Sequence, residues 1–186
     1  MAFVSLFAVE GAAAGKGVFE AAYEAGQDAF NLARYDEAWK QFQRARELAP
    51  EKPGPYRWLG RTARVREQWN DCLGFAMQAL RLNPTGKQAP EVRKDVEACR
   101  SALGRPRYEG KLSAGQGALA VIANVEGAAV TVDGIAKGRT PLDPVPLVVG
   151  RHTLRVQALD ASTQEVPVDI LDGVVVDVEV SLPPRR

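Results

Sequence analysis

One histidine, two cysteines and three closely spaced arginines are the side chains whose types and spacing suggest chemistry in this chain. His152 is the natural general base, but no serine or cysteine stands near it in sequence, and Cys72 and Cys99 lie in a half of different composition. One His and two Cys also fall short of a four-ligand structural zinc site unless carboxylates are borrowed. Gly11 to Gly17 resembles a phosphate loop only superficially: the spacing is one residue short, and Gly17 stands where Ser or Thr would hold magnesium. Thr140 before Pro141 reads as a turn, and His152 at the start of a strand as a hydrogen-bonded structural residue. The expectation is a protein that is not an enzyme, with no metal and no cofactor.

Arg57, Arg61 and Arg64 fall on one helical stripe, with no acidic residue between Pro53 and Arg66, so their field is not cancelled within the helix. Two readings stay open. The stripe faces an acidic or carboxylate-bearing partner, or it meets Glu20, Glu24 or Asp28 of a neighbouring helix in solvated pairs worth about 0 to 1 kcal/mol. Twenty-four basic against 23 acidic residues leave a net charge of +1, too balanced for work that depends on neutralising phosphates, so nucleic acid is not an expected partner. Both cysteines lie on apolar helical faces. In an oxidising compartment they could form a disulfide worth very roughly 3 kcal/mol in the chain-entropy model; reduced, they are two small buried hydrophobes.

The elements that must position these groups differ between the halves. At 46% apolar and 25% charged the chain is globular, with room for one large or two small domains. To about residue 104 it is rich in Ala, Arg, Glu and Leu, with Trp39, Trp58 and Trp69; afterwards Val and Gly take over. Helices come first and strands second. From Val18 to Ala33 apolar or small residues recur at Phe19, Ala22, Ala25, Gly26 and Ala29. Ala38, Phe42 and Ala45 face inward on the next helix, which Ala49-Pro50 ends. The pattern returns 34 residues later, with Gly26 echoed by Gly60, Ala38 by Cys72, Ala45 by Ala79 and Pro50 by Pro84. Val92, Val96, Cys99 and Leu103 give a third segment one apolar face. They leave Arg93, Lys94, Asp95 and Arg100 on the other side, as a capping helix would.

This pattern resembles a pair of tetratricopeptide (TPR) repeats over Val18 to Pro84, met in full at Gly26, Ala38, Phe42, Ala45 and Pro50. In the second unit Ala76 replaces the large aromatic, with Phe75 and Met77 beside it to fill the space. The resemblance implies a concave wall formed by the first helix of each repeat. That wall would carry Tyr23, Gln27, Phe30 and Asn31 with Arg57, Arg61 and Arg64, and would hold a peptide or helix of acidic character.

Gly117 to Pro183 reads as one small β-domain with strands at Leu119 to Val125, Ala129 to Asp133, His152 to Leu159, Glu165 to Leu171 and Val174 to Leu182. In the last run Val174, Val176, Val178, Val180 and Leu182 form one buried face, and Asp177 and Glu179 point the other way. Asp133-Gly134 suits a tight turn. The blocks Val125-Glu126-Gly127-Ala128, Val130 to Gly134, Gly138-Arg139-Thr140-Pro141-Leu142 and Gly150-Arg151-His152, in that order, resemble the PEGA domain. Val125 stands in place of the motif's proline, and Leu159 to Ser162 in place of an expected Gly-Tyr. The resemblance implies a small β-sandwich binding module, often extracytoplasmic, without catalytic activity.

The fold expected is α+β in separate domains: residues 17–104 a TPR solenoid of two repeats plus a cap, 105–116 a linker that lets the domains move unless Tyr108 and Leu112 dock on one side, and 117–184 a PEGA-like sandwich. Residues 1–16 are expected to be a signal-peptide remnant or a disordered N-terminus. Met1 to Val9 is mostly apolar and Ala12 to Ala14 could be a cleavage site, although no Lys or Arg precedes it. No run approaches the roughly 20 apolar residues of a membrane span. The function expected is that of a protein–protein adaptor in the periplasm or envelope of a bacterium. The alternatives are an assembly subunit acting through β-edges and a cytoplasmic signalling adaptor.

Overall fold

The computed structural model describes residues 7–184, with residues 7–16 described through their helix alone. The expectation of a signal remnant over residues 1–16 therefore lies partly outside the described residues; the first helix already runs from Phe7. The chain divides into two units that meet in sequence between Cys99 and Arg100. Helices fill the first unit and two β-sheets the second.

Five helices follow one another: α1 (Phe7–Asn31), α2 (Tyr35–Leu48), α3 (Pro53–Val65), α4 (Trp69–Leu82) and α5 (Ala89–Ala102). The 34-residue echo reaches the backbone atoms of the turns. Ala33 and Glu67 both take left-handed φ (57° and 58°), and the amides of Arg34 and Gln68 donate to Ala29 and Ala63 over 2.8 and 2.9 Å. The amides of Ala49 and Asn83 likewise donate to Ala45 and Ala79, both over 3.1 Å. Such repeated turn geometry makes α1–α2 and α3–α4 two copies of one hairpin.

Inside the hairpins the small residues work differently. A Cβ on Gly26 would sit 2.6 Å from the Phe42 ring, so the missing side chain is the seat of that ring. A Cβ on Gly60 would instead meet the Ala76 amide nitrogen at 3.3 Å and the Cys72 carbonyl oxygen at 3.4 Å. Ala76 thus lets the second hairpin close backbone to backbone and leaves no gap for Phe75 or Met77 to fill, which corrects the expectation. Phe75 turns away to meet Trp39 edge-on at 5.5 Å and Tyr56 at 6.4 Å. The two hairpins lock through Trp58, stacked on Phe42 at 5.5 Å and edge-on to Phe30 at 5.1 Å.

The third helix of the pattern, α5, presses Val92, Val96 and Cys99 inward. Cys72 and Cys99 are disulfide-bonded, with Cα atoms 6.0 Å apart, inside the range the bond requires. The opposite side of α5 is not simply wet. Asp95 is buried (7% exposed) and Arg100 is the largest fully buried side chain, so two residues expected on a polar outer face are covered.

Seven strands make the second unit: β1 (Gln116–Ala123), β2 (Ala129–Val132), β3 (Ile135–Arg139), β4 (Leu142–Val148), β5 (Gly150–Gln157), β6 (Gln164–Ile170) and β7 (Val175–Val180). One sheet has the order β4-β1-β7, with β1 antiparallel to β4 and parallel to β7; the other is the antiparallel β3-β2-β5-β6. Val130, Val132, Leu154 and Val156 are buried while their alternate neighbours are not, as expected for sheets wet on one face.

Strands β3 and β4 fall where turns were expected, and both are edge strands. Pro144 and Pro146 are tolerated in β4 because an edge residue need not donate to a second neighbour. The run at β1 is buried continuously from Gly117 to Val121. Leu119 and Val121 belong to the interior, whereas Ala118 and Ala120 with Val175 are covered by Tyr108 and Leu112. Of the two outcomes left open for the linker, Tyr108 and Leu112 take the docked one and pack on the sheet. Asp177, expected to face water, instead receives two hydrogen bonds from Arg100 at 2.7 and 2.9 Å, and Arg100 also donates to the Pro106 carbonyl at 2.9 Å.

Candidate functional site

The arginine stripe on α3 finds its partners on α5 and in Gln88, the residue just before it. Arg57 donates to Gln88 Oε1 at 2.9 Å, Arg61 to Glu91 at 2.7 Å and to Asp95 at 3.4 Å, and Arg64 to Asp95 at 2.7 Å. Neither of the two open readings describes this: Arg61 and Arg64 are answered by the capping helix, not by Glu20, Glu24 or Asp28. A signal for it was present in the sequence. Gln88, Glu91 and Asp95 repeat at helical spacing, as Arg57, Arg61 and Arg64 do, so two complementary stripes face each other.

The other expected wall residues separate. Tyr23 and Phe30 are partly buried, packed with Ala29, Ala38, Phe42 and Leu59, and the Tyr23 hydroxyl accepts a 3.0 Å hydrogen bond from Trp58 Nε1. Gln27 is half-buried and Asn31 exposed. Tyr23 and Arg57 do come together. They line a cavity of about 320 Å³ with the start of α3, the end of α4 and the loop that leads into α5.

In the second unit His152 bridges two neighbouring turns. Its Nδ1 lies 2.6 Å from Asp133 Oδ2 and its Nε2 2.9 Å from the Val148 carbonyl oxygen. Both partners are acceptors, so the arrangement is complete when both ring nitrogens carry a proton. The Asp133 hydrogen bond, helped by the Val148 carbonyl, outweighs burial and raises the His152 pKa above its ordinary value. The Asp133 carboxyl is held below its ordinary range, first by the Thr153 N–H and then by His152. Asp133 and Gly134 both have positive φ (51° and 79°), the signature of a type I′ hairpin turn. Sequence reasoning missed Asp133 as the partner of His152 because the two are brought together only by the pairing of β2 with β5.

Thr140 ties the Val125–Ala128 turn to the end of β3. Its hydroxyl donates to the Val125 carbonyl at 2.6 Å and accepts from the Ala128 N–H at 3.1 Å, while its carbonyl accepts from the Gly127 N–H at 2.7 Å. Arg139 adds a 2.7 Å hydrogen bond to the Gly127 carbonyl. The Glu-Gly-Ala block and the Gly-Arg-Thr-Pro block are thus two sides of one clasp.

Residues 116–186 match the PEGA domain family. Among the described residues the matched region holds the seven strands, the Thr140 clasp and the His152 bridge. No curated protein matches the chain. Among the described residues no three His, Cys, Asp or Glu side chains gather as a metal-binding group, and no helix is long and apolar enough to cross a membrane.

Proposed function

We propose that the chain is a non-enzymatic protein–protein adaptor of the bacterial cell envelope. Its helical hairpins, read as tetratricopeptide repeats, would hold a peptide or helix of a partner, while the PEGA-matching unit supplies a second contact or a spacer. The observation that supports the adaptor reading is the hairpin geometry repeated at 34 residues, two copies of one helical pair in succession, as repeat binding modules are built. Two facts support an extracytoplasmic site: the match over residues 116–186, to a family often found outside the cytoplasm, and the disulfide between Cys72 and Cys99. A cytoplasmic signalling adaptor would keep these thiols reduced, so thiol-blocking of the native protein separates the two locations.

A photo-crosslinking residue at Gln27 or Asn31 should capture a defined envelope protein in native cells, and one at Lys40, exposed on α2, should not. Equal labelling from all three positions would sink the wall as a binding surface. A second reading, assembly through β-edges, is favoured by one feature. Pro interrupts edge strands β4 and β6, and edge strand β7 has its Asp177 and Glu179 paired with Arg100 and Arg105, whereas β3 is an exposed edge with no proline. Under that reading Ile135→Lys with Ala136→Lys abolishes assembly and leaves the cross-links from α1 unchanged.

A further inference from the structure

One end of the β-unit, where β2 begins and β5 runs out, holds a cavity of about 480 Å³, within the range of ligand sites. Its polar groups come from three places in the chain: Glu126 in the turn before β2, Arg139 at the end of β3, and Gln157 with Asp160 at and after the end of β5. All four side chains end in planar groups that set hydrogen-bonding atoms side by side. Arg139 is fixed by the Gly127 carbonyl, which occupies one of its five N–H groups. Among the described residues Glu126 and Asp160 take part in no ion pair. The apolar part of the lining is led by Leu159, at 90% the most exposed of the large hydrophobic residues described. A second cavity, of about 280 Å³, shares Ala129 and Gln157 with the first and continues past the Thr131 and Thr153 hydroxyls and the exposed Arg155–Glu165 pair. Ala129 is small, so the two join as one trough.

We propose that this trough binds a neutral glycan chain, with one sugar ring laid against Leu159 and its hydroxyls shared among Glu126, Asp160, Gln157 and Arg139. The mixed signs of these groups select a neutral ligand, since a ligand of one charge would meet its like as well as its opposite. A hydroxyl both donates and accepts, so one kind of group answers carboxylate, amide and guanidinium alike. Two adjacent hydroxyls match the paired atoms of each. A pyranose ring also turns an apolar C–H face outward, which suits Leu159 and Val125 on the same lining. The continuation of the trough selects a chain over a single ring, with the next sugar at Thr131 and Thr153. This gives the second contact proposed for the β-unit a ligand chemistry and needs nothing from the helical wall.

The test follows amide resonances of the full chain by NMR on adding tetrasaccharides to about 1 mM. The panel holds α- and β-linked tetramers of glucose, galactose, mannose and N-acetylglucosamine, with oligogalacturonate and oligoglucosamine as charged counterparts. At least one neutral tetramer should shift Glu126, Gln157 and Asp160, and its monosaccharide should bind more weakly. Leu159→Ser should weaken that tetramer by about tenfold, as for loss of one apolar contact. Glu126→Ala with Asp160→Ala should weaken it by about tenfold or more. All three side chains are exposed, so an unchanged thermal melt is expected and shows that the fold is intact. Ile135→Ser, at the other end of β3 from Arg139, should bind as wild type does. Silence across the neutral panel, binding by the charged oligomers alone, a monosaccharide as tight as its tetramer, or full affinity in either trough variant would each overturn the assignment. The cross-links from Gln27 and Asn31 report on the helical wall alone, so its failure and that of the trough are distinguishable.

Discussion

His152 is the only histidine in the chain, so its titration can be followed without assignment ambiguity. Its pKa is raised above 6.5 by Asp133, so the bridge contributes fully below about pH 6.5 and is lost as pH rises through the higher folded value. Asp133 works in the opposite sense: its contribution is present above its ordinary 3.8 and disappears as pH falls through the lowered folded value. The two together stabilise the turns best in mildly acidic solution. The melting-temperature gap between wild type and His152→Gln should shrink on going from pH 5.5 to about pH 8.5, and an NMR titration should place His152 above the ordinary histidine value. A gap that widens with pH would contradict the bridge. Lys137 opposes the charge on His152, so Lys137→Gln should raise the histidine further. That His152 is hydrogen-bonded was legible from the sequence, but its partners were not, because β2–β5 pairing brings Asp133 to it over 19 positions of chain.

At the scale of helices, small residues and carboxylates decide how closely elements approach. Gly26→Ala drives a methyl into the buried Phe42 ring and should destabilise the helical unit by about 1–3 kcal/mol, the usual cost of overpacking. Phe42→Leu in the same chain should recover part of that loss, so a double-mutant cycle by denaturant unfolding should be strongly non-additive. Simple additivity would mean that the glycine is not the seat of the ring. Asp95→Asn removes the carboxylate shared by Arg61 and Arg64 and should cost about 1–3 kcal/mol by the same measurement, with Arg57→Gln nearly neutral. The hairpins were readable because a 34-residue echo of small residues marks the places where helices touch. The cover over Asp95 was not, since apolar spacing defines the inner face of a helix and is silent on what meets the other. Edge strands β3 and β4 escaped for a related reason: one lacks alternation and the other carries prolines, both permitted where a strand has a single neighbour.

For the molecule as a whole, the division into a helical and a β-unit followed from the change in composition, while the place of the division did not. Tyr108 and Leu112 carry no periodic pattern, so the sequence marked them only as the residues by which a linker could dock and was silent on the face that receives them. Their packing on Ala118, Ala120 and Val175, with Arg100 on Asp177 and Arg105 paired to Glu179, makes the residues before the family match part of the β-unit. A fragment of residues 100–186 should be soluble and melt cooperatively by circular dichroism. A fragment of residues 116–186 should aggregate or melt at markedly lower temperature, because it bares an apolar sheet face and leaves a nearly buried carboxylate without its cation. Equal melts would show that the preceding residues are ornamental to the fold. If they differ, this β-unit is not a cassette that recombination can cut at its family boundary. Any ancestor that moved it between proteins had to carry the upstream residues along or supply a new neighbour for the same face.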